Sequence, residues 1–165
     1  MASKTLIVLR HAKSSWQTAE ADLRRPLSER GERDAVAAGK VLAGYDLDVV
    51  LASTATRVQQ TWAGAVDGGA SCADVGVSEL IYHAWPGELL SELRELDETV
   101  HTALLIGHQP TLGDLVTSLA KPSALAERVQ AKYPTAGLAV LTYRGAWKTL
   151  ADGKATLKRF EVPRG

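Results

Sequence analysis

The chain has one cysteine, Cys72, among 165 residues. A lone cysteine cannot form an intrachain disulfide. It also has no long apolar run: nothing approaches the roughly 18 residues of a membrane-spanning helix. Net charge is absent as well, with 19 basic residues against 19 acidic ones and a pI near 6.9. That balance removes the general electrostatic case for nucleic acid or an anionic membrane as partner. The four histidines lack metal-ligand spacing such as His-x-x-x-His. Neither a phosphate-binding glycine loop of the Walker type nor a dinucleotide fingerprint is present, and there is no repeat or low-complexity tract. The expectation is a chain without metal or cofactor. The few residues ahead of the first apolar run leave no room for a signal peptide, so a cytoplasmic location is expected.

What the chain does contain is a recurring pattern. Leu6-Ile7-Val8-Leu9 runs straight into Arg10 and His11. A run that apolar reads as a strand buried on both faces, as in a parallel sheet. Asp48 to Ala52 is a second such run, followed by Ser53 and Arg57. Thr102 to Gly107 is a third and ends on His108. Open α/β sheets bind ligands at the carboxyl ends of their strands. Two arginines and two histidines at those ends could therefore converge around one anion.

Between the runs lie helical patterns. Ser28 is a suitable N-cap for a helix to about Ala43, with Gly31 and Gly39 expected to allow close packing on the sheet. Val58, Thr61, Trp62, Ala65 and Val66 follow amphipathic spacing. Arg57 falls in the first turn of that helix, where a cation opposes the helix dipole, so anion binding explains it better than structure does. Val75 to Val77 reads as a short strand, with Glu79 just past its end. Pro86 and Gly87 open a further helix, and Pro110 and Pro122 begin two more. His83 and His101 read as loop residues. Trp16 is expected to cap the core, with the wall of the site as the alternative. Strands are expected at Ala136–Tyr143 and Thr156–Val162, forming an antiparallel edge. The alternation of strands and helices implies one α/β domain over residues 1–165, a three-layer α/β/α sandwich on a mostly parallel sheet. Local charge excesses, acidic over Glu88–Glu98 and basic over Arg144–Gly165, read as solvated faces.

Three blocks in order, Arg10-His11-Ala12-Lys13-Ser14, Ser53-x-x-x-Arg57-x-x-x-Thr61 and Gly107-His108-Gln109-Pro110, resemble the histidine phosphatase superfamily. They most resemble its small phosphohistidine phosphatase branch, the SixA type. Ala12 replaces a glycine common in the wider superfamily, and Gln109 stands where asparagine is usual. The resemblance implies a phosphoglycerate-mutase-like fold and phosphoryl transfer to His11, with water releasing phosphate. Composition and spacing do not choose between His11 and His108 as nucleophile; the resemblance assigns His11.

A phosphoryl group needs an in-line nucleophile and cations on its remaining oxygens. Arg10 and Arg57 are suited to grip those oxygens bidentately, and a protonated His108 would add a third donor. Lys13 and Ser14 lie close enough to His11 to donate to the anion, although Lys13 reads equally as a solvated residue. Glu79 reads as a surface acid, an arginine partner or the proton donor to the leaving group. A phosphoramidate needs little acid help, and a short chain leaves little room for a lid. The favoured substrate is thus a phosphohistidine-bearing protein. A small phosphorylated metabolite, or phosphate binding without turnover, is the alternative.

Overall fold

The computed structural model describes residues 3–165. Its centre is a six-stranded sheet: β1 (Ser3–Arg10), β2 (Val49–Ser53), β3 (Val75–Ser78), β4 (Thr102–Gly107), β5 (Leu138–Arg144) and β6 (Thr156–Glu161). They lie in the order β3-β2-β4-β1-β5-β6. The first four are parallel neighbours, whereas β5 runs antiparallel to β1 and β6 antiparallel to β5.

Six helices cover the sheet: α1 (Glu29–Leu42), α2 (Thr56–Gly68), α3 (Glu79–His83), α4 (Pro86–Arg94), α5 (Thr111–Leu119) and α6 (Ala124–Ala131). Side chains alternate faces along a strand, and β1 shows how that builds three layers. Ile7 and Leu9 pack with Ala38 and Leu42 of α1 and Val58 and Ala65 of α2. Leu6 and Val8 pack on the other face with Leu89 of α4, Leu112 and Leu115 of α5, and Val129 of α6. A run apolar at every position, as Leu6–Leu9 is, is what two cores require. The fold is the expected α/β sandwich. Among the described residues no helix is long and apolar enough to cross a membrane.

Two local expectations change. The glycines of α1 do not pack on the sheet. A Cβ on Gly39 would meet the Ala65 carbonyl oxygen of α2 at 2.0 Å, and one on Gly31 would meet the Lys13 carbonyl oxygen at 2.0 Å. They let α1 approach another helix and the loop after β1. The stretch before Pro86, read as loop, contains α3. Ser78 caps it, its Oγ accepting from the Leu80 amide at 3.2 Å.

Candidate active site

β1 and β4 pair in the register Arg10↔Gly107, so the next residue of each strand emerges beside the other. The His11 amide donates to the Gly107 carbonyl at 3.1 Å. The rings of His11 and His108 then stand 5.4 Å apart between centroids. On the far side of β4, β2 brings Ser53 to the same edge. Arg57 follows in the first turn of α2.

The Ser53–Arg57–Thr61 block is used throughout. Ser53, fully buried, lies with its Oγ 2.8 Å from His108 Nε2. Thr61 Oγ1 donates to the Arg57 carbonyl at 2.7 Å and accepts from the Ala12 amide at 3.0 Å. One turn of α2 thereby fixes the loop that carries His11. The opposite side of that loop rests on Ala136, which adopts φ 60° and donates to the carbonyls of Arg10 and His11 at 3.1 and 3.0 Å. A left-handed alanine is strained backbone. It also ends the strand pattern, so β5 begins at Leu138 rather than at Ala136.

The ring chemistry follows from the partners. His11 Nδ1 lies 2.7 Å from the Ala12 carbonyl oxygen. A carbonyl only accepts, so Nδ1 carries the ring hydrogen and Nε2 keeps its lone pair. Burial pushes the His11 pKa down to about 3, against the Ala12 bond, with His108, Arg57 and Arg10 adding to the depression. His108 is lowered to about 4, by burial first and then Arg57, with Asp22 opposing. Its Nδ1 stands 3.5 Å from Arg57 Nη2. Since a guanidinium only donates, Nε2 of His108 carries the hydrogen toward Ser53. Both rings are neutral near pH 7.

Arg10, His11, Lys13, Ser14, Arg57 and His108 all line one cavity of about 450 Å³. Four further residues of its wall were not singled out from sequence: Asp22, Arg25, Tyr82 and Thr135. Asp22 organises the rim. Its carbonyl accepts from Arg57 Nη1 at 2.7 Å, and its carboxylate takes Arg57 Nη2 at 3.1 Å, Arg25 Nη2 at 3.3 Å and the Tyr82 hydroxyl at 2.5 Å. The Tyr82 bond, helped by both arginines, holds the Asp22 carboxyl at about 2 despite burial. Asp22 lies in a one-turn helix, Asp22–Arg24, too short to leave a periodic signal. Ser14 Oγ accepts from Arg25, so that hydroxyl already has a partner.

The structure does not bring Glu79 into the cavity. It is exposed and is the first residue of α3. At 1.5 Å per residue that is about 4.5–6 Å back along the axis from Tyr82 and His83, which do reach the wall. His83 is therefore a rim residue of α3 and not a loop residue. Trp16 does not cap the core: it is 75% exposed and lines the cavity.

Four cationic side chains, Arg10, Lys13, Arg25 and Arg57, thus face one carboxylate. The Nε atoms of all three arginines are buried without a protein partner among the described residues. Such a cavity is built for an anion. Among the described residues no group of three or more His, Cys, Asp or Glu is placed to hold a metal ion.

The model of the histidine phosphatase superfamily (branch 1) matches residues 6–154. The chain belongs to the histidine phosphatase superfamily. The uncharacterized protein Rv1276c of Mycobacterium tuberculosis is 42% identical over 163 residues, covering 94% of this chain and all of the relative. A candidate phosphohistidine phosphatase SixA from Nakamurella multipartitia superposes with a TM-score of 0.89 at 31% identity, covering 99% of this chain and 98% of that one. A second, from Agrobacterium tumefaciens, gives 0.79 at 29% identity, covering 97% and 99%. Membership in this superfamily and likeness to these structures support phosphatase activity. The phosphoglycerate-mutase-like fold expected from the sequence is the one observed.

Proposed function

We propose that residues 1–165 act as a single phosphatase domain that hydrolyses phosphohistidine on a protein through a covalent intermediate on His11. The observation that carries this reading is the His11 ring. Its Nδ1 hydrogen is committed to Ala12, which leaves the Nε2 lone pair free, and the residue lines a cavity together with Arg10, Arg57 and His108.

In the first step Nε2 forms a bond to phosphorus while the bond from phosphorus to the leaving nitrogen breaks. The leaving ring keeps that electron pair, and a proton on its far nitrogen makes it a neutral imidazole. Arg10 and Arg57 neutralise the charge on the transferring group. The phosphate dianion favours a protonated His108, which then donates from Nδ1. Water next attacks phosphorus, the bond to Nε2 breaks, that pair returns to His11, and the water proton passes to solvent.

The choice of a phosphoramidate rests on proton supply. An alkoxide leaving group needs a general acid. Glu79 lies outside the cavity, the Asp22 carboxyl is ionised, the Tyr82 hydroxyl is bound to Asp22, and the proton on His108 is used on the oxygens of the transferring group. Imidazole is the leaving group that such a site tolerates.

The test is rapid denaturing quench during turnover of a phosphohistidine protein. Radiolabelled phosphate is expected on His11 in the parent. His11→Ala is expected to lose the label and at least about 10³-fold in rate. Binding of phosphate without turnover would leave no label, and faster turnover of free phosphomonoesters would favour a small metabolite as substrate.

A further inference from the structure

Trp16 stands out on the cavity rim. An indole is normally well buried, yet this one is 75% exposed. Its ring is nevertheless held in place. The guanidinium carbon of Arg25 lies 3.6 Å from the ring centroid. Arg25 is itself buried and tied to Ser14 Oγ, to the Ser15 carbonyl at 3.4 Å and to the Asp22 carboxylate at 3.3 Å. One face of the indole is therefore covered by a fixed cation. The rest of the ring is open, and Trp16 lines the cavity that holds His11 and His108. Shielding Arg25 explains the covered face. It does not require that the ring also line the phosphate cavity.

We propose that the open face of Trp16 stacks on the ring of the leaving group, and so selects phosphoryl groups carried on imidazole over those carried on a ringless nitrogen. This rests on the phosphohistidine reading and adds a specificity residue to it. A flat heteroaromatic ring stacks well on an indole, and a protonated imidazole gains a cation–π attraction on the same face. The ionised Asp22 beside Arg25 adds a negative charge to the same rim. The stack exists before and during the reaction alike, so its loss raises KM and leaves kcat in place.

Trp16→Ala and Trp16→Phe in the full chain, assayed on a phosphohistidine peptide and on phosphoramidate, test this. Because Trp16 is exposed, neither change disturbs the core. The alanine variant is expected to raise KM for the peptide roughly five- to tenfold, with kcat held and phosphoramidate kinetics unchanged. Phenylalanine is expected to restore most of the loss. Equal losses on both substrates, a fall in kcat alone, or no change on the peptide would overturn the assignment of Trp16 while leaving phosphohistidine turnover intact. A parent that hydrolyses phosphoramidate but not the peptide would instead remove the substrate reading, and this inference with it.

Discussion

Lys4 and Arg10 sit near opposite ends of β1, and the protein treats the two cations differently. Lys4 is 4% exposed. Its Nζ donates to the carbonyls of Glu98 and Val100 at 2.6 and 3.0 Å and pairs with the Glu98 carboxylate at 3.5 Å. Its charge is fully answered from within the chain. Arg10 donates from Nη1 to the Tyr133 carbonyl at 2.9 Å, while its Nε is buried without a partner among the described residues. The charged groups that share its cavity are mostly cationic. A cation that is satisfied by its own protein is architecture; a cluster of cations that is not satisfied awaits an anion. The amino end of the strand closes the sheet, and the carboxyl end holds a site.

The sharpest way to break that contrast is to exchange the expected consequences of a substitution at each end. Arg57→Ala, at the open end, is expected to lower kcat/KM by about 10²- to 10³-fold, with thermal stability little changed. Lys4→Met, at the closed end, is expected to leave kcat/KM unchanged and to cost about 1–3 kcal/mol in urea unfolding, because the Glu98 carbonyl loses its donor and the Glu98 carboxylate its cation, while Trp147 Nε1 still donates to Val100. If Lys4→Met impaired turnover, or if Arg57→Ala impaired only folding, the two ends would not differ as described.

A smaller effect is expected from pH. His11 and His108 are held near 3 and 4 when folded, below the ordinary value of about 6.5 for an unfolded histidine. Between about pH 6.5 and pH 4 the unfolded chain therefore binds more protons than the folded one. Stability rises with pH across that window and falls as the solution is acidified. Asp22, at about 2, contributes only below that range. The urea midpoint is expected to drop from pH 6.5 to pH 4.5, and His108→Gln is expected to flatten part of the drop. An equally steep profile in that variant would show that burial of His108 is not the cause. The smallest effect is expected at Glu79. Glu79→Gln should leave hydrolysis within about twofold of the parent, since the exposed carboxylate stands outside the cavity; a larger loss would return it to the chemistry.

Much of the site was legible because its residues sit at the ends of apolar runs. Arg10, His11 and His108 come directly after or just beyond the apolar runs Leu6–Leu9 and Ala103–Ile106, and Arg57 is a cation misplaced for its own helix. Asp22, Arg25 and Tyr82 left no comparable sign. They lie in a one-turn helix, a loop and a five-residue helix, where no periodicity develops. Their meaning is a set of contacts with residues far along the chain, such as the Tyr82 hydroxyl on Asp22. Trp16 was misjudged for a related reason. A large apolar ring signals burial, and only the placement of Arg25 against one of its faces explains why it stands in the open.

By itself, the order of residues determined the strands, the three-layer arrangement and the four groups at the strand ends, because backbone hydrogen bonding and side-chain alternation are local and repetitive. Only the tertiary structure decided the rest. The register of β1 on β4 sets the two imidazoles side by side, and burial together with Ala12 leaves His11 neutral with a free Nε2. Asp22 is what joins Arg57 and Arg25 at the rim. Those outcomes depend on distances and on the exclusion of water, and neither is a property of any one stretch of chain.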